Sequence, residues 1–291
     1  MKKAVIVAVA KDEQQYIEEW ITHHLNIGFE EIYLFDNMSI IPIADIIREL
    51  PQNIQDKVIV ELIDTIEPQN HAYIKGTEYY IGKAQWVAVI DLDEFIITSY
   101  SSIQKLLQPF DKFPNIGNLL IAWDLYNADG QKYYEDKPVM KRFKEILNFW
   151  PQNCWDHWKS IYRPECCAVA GTHAPLLKDG FCILDFEQRK NEIKINHYYT
   201  KSYEEWLWKV KKGSATWRNY RKYMEFFECN PKMYQDCYEE DYKDLRGYSE
   251  IDRRGNKEED INVAKYIEKH RHEIASKNKV IVRGGALTHY G

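Results

Sequence analysis

Four short apolar runs, separated by stretches with helical periodicity, dictate most of what this chain can become. Residues 3–9 (KAVIVAV), 31–35 (EIYLF), 58–63 and 86–90 (WVAVI) have strand length and little in–out alternation. A strand that is apolar on both sides must be covered on both sides. Between the runs, residues 16–27 put Ile17, Trp20, Ile21, His24 and Leu25 at helical spacing. Gly28 follows at the C′ position, where a left-handed residue ends a helix. Residues 42–50 and 72–84 read as two more helices. Strand–helix alternation over the first 100 residues predicts an α/β fold: a doubly wound, mostly parallel central sheet flanked by helices.

Beyond residue 100 the pattern is less regular. Residues 118–126, 159–163 and 192–198 read as strands and 201–223 as a helix. Residues 225–260 are acidic and turn-rich, 261–276 form a closing helix, and 279–283 are strand-like. The expected organisation is one domain over 1–225, in two halves at about 1–100 and about 101–225. A helical C-terminal extension over 226–291 packs on it.

Parallel sheets bind ligands beyond the carboxyl ends of their strands. Three of these runs end in polar residues: Lys11-Asp12-Glu13, Asp36-Asn37 and Asp91-Leu92-Asp93. If residues 91–93 continue the strand, Asp91 and Asp93 point to the same side and Leu92 away from it. Two adjacent carboxylates repel unless a positive charge stands between them. A hard divalent ion with oxygen ligands, Mn²⁺ or Mg²⁺, meets that need, and its charge would offset that of a departing diphosphate. No G-x-G-x-x-G follows the first strand and no G-x-x-x-x-G-K-[ST] occurs, which removes the main support for a dinucleotide oxidoreductase or a P-loop NTPase.

These residues in combination resemble glycosyltransferases of family 92 (DUF23) and related family-2-like enzymes with the GT-A fold. The resemblance rests on Lys11-Asp12-Glu13 with Tyr16, Trp20 and His24, and on Tyr33-Leu34-Phe35-Asp36-Asn37-x-Ser39. It continues through Gln69-Asn70, residues 86–95, Lys159-x-Ile161-x-Arg163-Pro164 and His173. It closes with His197-Tyr198, Lys201-Ser202, Glu204-Glu205 and Lys209 with Lys212-Gly213. It implies inverting transfer of a sugar from a nucleotide-sugar, a UDP-hexose in the first instance, to a glycan or lipid-linked saccharide. Asp36 would meet the nucleoside, Asp91 the ribose or the metal, and Asp93 the metal directly, with His197 as a further ligand. Lys11, Glu13, Asn37 and Gln69 would complete the nucleotide site, and Lys159, Arg163 and Lys201 would meet the diphosphate. Inversion needs a base for the acceptor hydroxyl. Asp124, Asp129 and Asp156 are available downstream, and Asp129 is preferred because it lies in the loop expected to line the acceptor pocket. The chain departs from the family pattern in that loop: Asp124-Leu125-Tyr126-Asn127-Ala128-Asp129-Gly130 stands after Trp123 where a Gly/Ser-rich stretch is usual.

Charge and composition narrow the alternatives. Thirty-nine Lys and Arg against 45 Asp and Glu give net −6, unlike a nucleic-acid binder. Residues 201–223 run the other way, with seven basic side chains against two acidic ones, and Trp206, Trp208, Trp217, Tyr220 and Tyr223 are interleaved among them. Such a segment suits either an interfacial helix on an anionic membrane or a capping helix whose rings fill the core. Lys2-Lys3 followed by residues 4–10 imitates a signal peptide, but Lys11-Asp12-Glu13 follow at once, and a buried strand accounts for the same letters. The chain therefore reads as cytoplasmic, with peripheral contact at the inner face of a membrane through residues 201–223. Six cysteines in no zinc-type spacing read as reduced thiols. Two rivals are a haloacid-dehalogenase-like phosphohydrolase, which also carries D-x-D after an apolar strand, and a non-catalytic carbohydrate-binding adaptor. Phe95 and the position of the motif after three strands disfavour the first; intact Asp91 and Asp93 disfavour the second.

Overall fold

The first apolar run becomes β1 (Lys2–Ala10), in which Ala4 through Ala8 have no exposure at all. The computed structural model describes residues 1–65, 67–147, 157–212, 225–234 and 237. After β1 come α1 (Ile17–Asn26), β2 (Ile32–Asp36), α2 (Ile43–Arg48), α3 (Gln52–Gln55), β3 (Val58–Leu62), α4 (Pro68–Tyr80) and β4 (Ala84–Val89). Then follow β5 (Glu94–Thr98), α5 (Ile103–Leu107), β6 (Ile116–Leu125), α6 (Val139–Arg142), β7 (Trp158–Tyr162) and β8 (Cys167–Val169). The series continues with β9 (Leu176–Leu177), β10 (Cys182–Asp185), β11 (Ile193–His197) and α7 (Tyr203–Lys212).

The main sheet has the order β3-β2-β1-β4-β7-β6-β11-β5, and β10 also pairs with β6. β3, β2, β1 and β4 are parallel neighbours, and β6 is parallel to both β10 and β11. Only β7 and β5 run against the others. This is the mostly parallel α/β sheet that the alternation predicts. Along β1, Ala4, Ile6 and Ala8 belong to the core under α1 and α2, while Val5 and Val7 belong to the core under α4. Two buried faces explain why the run has no polar alternation.

Local chemistry sets the element ends. At the end of α1 the Phe29 N–H bonds the His24 carbonyl and the Gly28 N–H the Leu25 carbonyl, with Gly28 at φ +104. That is the Schellman arrangement expected for Gly28. The helix expected at 72–84 begins instead at Pro68, because proline lacks an N–H that the first turn would leave unpaired anyway. Its far end also differs, since Ala84 opens β4. The short pieces α3, α5, α6 and β8–β10 leave no periodicity to read. β5 is missed because Asp91-Leu92-Asp93-Glu94 is a turn, closed by the Glu94 N–H on the Asp91 carbonyl at 3.1 Å, and not a continuation of β4.

The expected helix over 201–223 is realised as α7 from Tyr203; residues 213–223 lie outside the described residues, as do the helix expected at 261–276 and the strand at 279–283. Contacts divide the chain into two compact units, Met1–Tyr223 and Met224–Gly291. The described part of the second contains α8 (Glu225–Cys229), with Phe226 and Phe227 buried, followed by a 3-10 turn at Pro231–Met233.

Helix α4 lies so close to β1 that a Cβ built on Gly76 would stand 2.5 Å from Val7 Cγ1. Gly76→Ala should therefore destabilise the fold by about 1–3 kcal/mol through overpacking, although alanine is the better helix former by roughly 1 kcal/mol. Urea unfolding measures it, and an unchanged or raised midpoint would show that the helix–strand contact can relax.

Candidate active site

The site grows from the carboxyl end of β4, where the parallel strands leave a polar rim. Ala10 of β1 is level with Asp36 of β2, so the ends of both strands open beside each other. The Asn37 N–H bonds the Ala10 carbonyl at 2.8 Å. The Asp36 carboxylate accepts the Ser39 and Ile43 N–H groups, each at 2.9 Å. The Asp12 N–H donates to Ser39 Oγ, and the Ile40 N–H donates to Asp12 Oδ1. Asp36 thus organises the β2–α2 loop with both of its oxygens. Lys11 and Asn37 lie half-buried on this rim, and the Glu13 carbonyl accepts the first N–H groups of α1.

Asp91 and Asp93 sit in the β4–β5 turn, so strand alternation does not govern them. Each meets its own ammonium group. Asp91 Oδ2 accepts from Lys159 Nζ of β7 at 3.0 Å. Its Oδ1 accepts from Gln69 Nε2 at 2.6 Å and the Tyr73 hydroxyl at 2.8 Å, residues one turn apart on α4. Asp93 Oδ2 accepts from Lys209 Nζ of α7 at 2.5 Å, and that ammonium also donates to the Tyr199 carbonyl at 2.6 Å. The turn itself is held by Trp20, whose Nε1 donates to the Asp91 and Glu94 carbonyls. Lys159 is 1% exposed and also donates to the Thr172 carbonyl.

Burial and pairing compete at each carboxyl. Burial works against the charge of Asp91, but Lys159 and the Tyr73 hydroxyl together outweigh it and hold the group below the usual carboxylate range. At Asp93 burial is again opposed, by Lys209 and then His197, and the carboxyl is held well below that range. Glu94, fully buried, goes the other way: burial outweighs Lys159 and pushes it well up. One Glu94 oxygen accepts the Asp91 N–H at 2.9 Å, and the other lies 4.0 Å from His197 Nδ1. Burial lowers the His197 imidazole despite Asp93, which favours its neutral, ligating form.

Whether a hard divalent ion suits these residues can be judged from the donors. Both oxygens of Asp91 are already hydrogen-bonded. Asp93 Oδ1 and His197 Nε2 face each other at 3.6 Å, and His197 Nδ1 is buried without a hydrogen bond. The Asp93 oxygen suits a hard divalent ion, and the neutral imidazole nitrogen beside it favours Mn²⁺ over Mg²⁺, so two of the three expected ligands fit. Among the described residues no third His, Cys, Asp or Glu joins them, which leaves the remaining positions to substrate oxygens or water.

Other expected site residues fall elsewhere. The structure does not bring Arg163 to the site. It lies near the start of β4, packing on Trp86 at 4.2 Å and donating to the Ile116 and Phe110 carbonyls. The antiparallel register of β7 is the reason: four residues from Lys159, Arg163 is carried away from the rim. Asp129, at φ +48, accepts the Lys144 N–H at 2.6 Å and the Glu145 N–H at 2.9 Å, one on each carboxylate oxygen, and so ties residues 144 and 145 to its own loop. Asp124 is paired with Lys190 and Lys194, and Asp156 lies outside the described residues. Lys201, at φ +54 and 4% exposed, stacks on the Tyr16 ring at 4.3 Å and adds positive charge near Asp93.

Sequence reasoning did not assign Lys209, Tyr73, Glu94 or Glu205 to the site. Glu205 had a readable signal, since Ser202-x-x-Glu205 is a capping box. The Ser202 N–H donates to Glu205 Oε2 at 3.1 Å, and the Glu205 N–H to Ser202 Oγ at 3.4 Å. Glu205 also pairs with Arg142 of α6 and accepts from the Tyr16 hydroxyl at 2.7 Å. This hub seats the first turn of α7, and with it Lys209. Of the segment over 201–223, Trp206 and Lys209 are buried and Trp208 is 37% exposed. No helix among the described residues is long and apolar enough to cross a membrane.

Comparison with known proteins agrees with the chemistry. The model of Glycosyltransferase family 92 matches residues 6–242, and this chain belongs to that family. A family 92 protein of Oryza sativa subsp. japonica is 23% identical over 209 residues, covering 69% of this chain and 33% of the relative. One of Ricinus communis is 22% identical over 223 residues, covering 74% and 39%. The chain thus spans little more than a third of the length of these curated relatives. Among solved structures, S. aureus TarS in complex with UDP-GlcNAc aligns with a TM-score of 0.43 at 16% identity, over 81% of this chain and 66% of that one. UDP-glucose pyrophosphorylase complexed with UDP-glucose aligns at 0.34 and 12%, over 68% and 91%.

The Glu205 hub makes a pH prediction. Burial raises its carboxyl, but Arg142, Lys201, Ser202 and Tyr16 together outweigh burial and hold it below its ordinary 4.5. A depressed native pKa contributes stability that is present above the unfolded pKa and is lost as pH falls through the native one. Glu205→Gln, which leaves Arg142 without its buried partner, should cost about 3–5 kcal/mol at pH 7. Its stability should fall less than that of the wild type as pH drops below about 4.5. Denaturant melts at pH 7 and pH 4 measure both effects, and equal stability at pH 7 would show that the hub does not seat α7.

Proposed function

We propose that this protein is a glycosyltransferase that moves a sugar, with inversion, from a nucleotide-diphospho-sugar to a hydroxyl of a glycan or lipid-linked saccharide. A UDP-hexose is the donor to test first. The observation that carries the proposal is the D-x-D turn at the carboxyl end of β4, with each carboxylate matched to a buried lysine, in a chain of family 92.

The roles follow from the contacts. Gln69, Tyr73 and Lys159 fix the orientation of Asp91, whose side chain is one-third exposed and so can meet the donor. Asp93 and His197 would hold Mn²⁺ or Mg²⁺. When bound, that ion supplies positive charge where a diphosphate leaves. The loop built on Asp12, Asp36 and Ser39 lies at the same end of the sheet, and its exposed backbone suits contact with a nucleoside. Lys159 and Lys201 add fixed positive charge close to the D-x-D, which favours an anionic leaving group before any rearrangement.

The direct test is a thermal-shift titration with UDP, GDP and CMP, each with Mn²⁺ and with EDTA, alongside Asp93→Ala. A ligand at 100 times its Kd stabilises the native state by about 2.7 kcal/mol. The expected result is a shift with UDP that needs Mn²⁺ and disappears in Asp93→Ala. A shift with another nucleotide changes the donor and keeps the reaction class. No shift with any of them removes the nucleotide-sugar reading.

A further inference from the structure

We propose that His23 and His24 of α1 are positioning residues: they bind the free edge of β5 and, with Trp20, hold the D-x-D turn by a latch that acid opens. The latch needs no ligand; its consequence for donor binding rests on the nucleotide-sugar reading above.

β5 is the last strand of the main sheet. β11 covers one side of it, and among the described residues no strand covers the other. Polar backbone groups on such an edge need partners. At Ile96 two imidazoles supply them. The Ile96 N–H donates to His24 Nε2 at 3.2 Å, and His23 Nε2 donates to the Ile96 carbonyl at 2.8 Å. Adjacent helix side chains thus bond both backbone groups of one residue, as a paired strand would. The arrangement fixes opposite tautomers. His24 keeps Nε2 as an acceptor, so its proton sits on Nδ1, which donates to the Trp20 carbonyl at 2.8 Å. His23 carries its proton on Nε2.

The same helix reaches the turn. The Trp20 ring packs against the His24 ring at 4.6 Å between centres, and its Nε1 donates to the Asp91 and Glu94 carbonyls at 3.1 and 2.8 Å. Phe95, between turn and edge, stacks on His24 at 5.9 Å and meets His23 edge-on at 5.4 Å.

The two histidines answer a further proton differently. On His23 it leaves the Nε2 donor in place. On His24 it turns Nε2 into a donor that faces the Ile96 N–H, and the bond is lost. His24 is fully buried among Trp20, Phe29 and Phe95. Charged groups on the surrounding elements are engaged elsewhere. Glu19 of α1 accepts the Val139 and Met140 N–H groups, Glu94 of β5 accepts the Asp91 N–H, and Glu18 of α1 and Lys105 of α5 are exposed. Burial, and then His23, keep the His24 imidazole well below its ordinary 6.5, and burial lowers His23 as well. A depressed histidine contributes stability that is present above its unfolded pKa and lost as pH falls below it, because the open form takes up a proton that the closed form refuses.

The test is hydrogen exchange of the full chain at pH 6 and pH 5, read at residues 91–97 and 4–8, for the wild type and His24→Gln. Glutamine offers the Ile96 N–H an amide oxygen and does not titrate. With an open-form pKa of about 6.5, the opening constant of residues 91–97 should rise about eightfold more in the wild type than in His24→Gln. At pH 5 these residues should also open at least about tenfold more often than residues 4–8 in the core of the sheet. An equal rise in the two proteins, or equal opening of the two segments, overturns the latch. A second measurement needs no variant: ¹H–¹⁵N correlation at pH 7 should find the His24 proton on Nδ1 and the His23 proton on Nε2. A His24 protonated on Nε2 refutes the assignment. His24→Phe, which keeps a ring and removes the acceptor, should weaken UDP binding in Mn²⁺ by about threefold or more, with His24→Gln close to the wild type. Unchanged affinity in His24→Phe shows that the latch does not position the turn. A wild type that binds none of UDP, GDP or CMP removes the donor reading, and the exchange rates then decide the latch alone.

Discussion

The architecture depends on keeping two negative charges at the buried end of a strand. A carboxylate removed from water without a partner costs several kcal/mol, and two together cost more. The fold answers with one ammonium group from β7 and another from α7, each reaching its own aspartate. Much of the second half of the chain can be understood as delivery of those cations. β7 runs antiparallel between β4 and β6, which brings Lys159 level with the last residues of β4. The Glu205 hub seats α7 so that Lys209 arrives one turn later. Remove either element and one aspartate of the turn between β4 and β5 loses its ammonium partner.

The same pairing recasts the role of a divalent ion. Seen as letters, two aspartates one residue apart ask for a metal to separate them. Seen in three dimensions, the turn has already set them on different partners. Under the proposed function, a divalent ion would be offered one carboxylate oxygen and one imidazole nitrogen, at Asp93 and His197. That division of labour suits a site that must hold its shape when empty yet accept a highly charged substrate. Glu94 contributes from underneath, its carboxyl raised by burial and its oxygen on the Asp91 N–H. Trp20 fixes the turn from the opposite side through two carbonyls.

The first hundred residues were legible because their physics is periodic. Runs such as residues 3–9 and 86–90 have one explanation, burial on two faces, and Gly28 marks a helix end by a conformation that few other residues accept. The D-x-D was visible for the same reason: charge placed directly after an apolar strand is out of pattern. What stayed hidden was decided by partners far along the chain. Nothing near Arg142 announces that it will meet Glu205. Arg163 looks as suitable as Lys159 until the direction of β7 is known, and that direction is set by strand pairing and not by composition. Asp129 looked like a free acid in a loop, yet a left-handed backbone and two amides from residues 144 and 145 give it structural work. Lys209 was one charge among seven in a basic stretch, and only the fold separates it from the rest.

The sequence separations in the Glu205 hub bear on how the protein matures. Tyr16 and Glu205 are 189 residues apart, Asp93 and Lys209 are 116 apart, and Asp91 and Lys159 are 68 apart. Contacts that span such distances close late, because loop entropy must be paid before they form. On the ribosome, β1 through β4 emerge and can pair well before α7 exists, so the nascent chain carries the D-x-D with its charges unmatched. The unfinished protein thus differs from the finished one in electrostatics as well as in shape. Synthesis past Lys159 and then past Lys209 supplies, one after the other, the two cations that match the strand end.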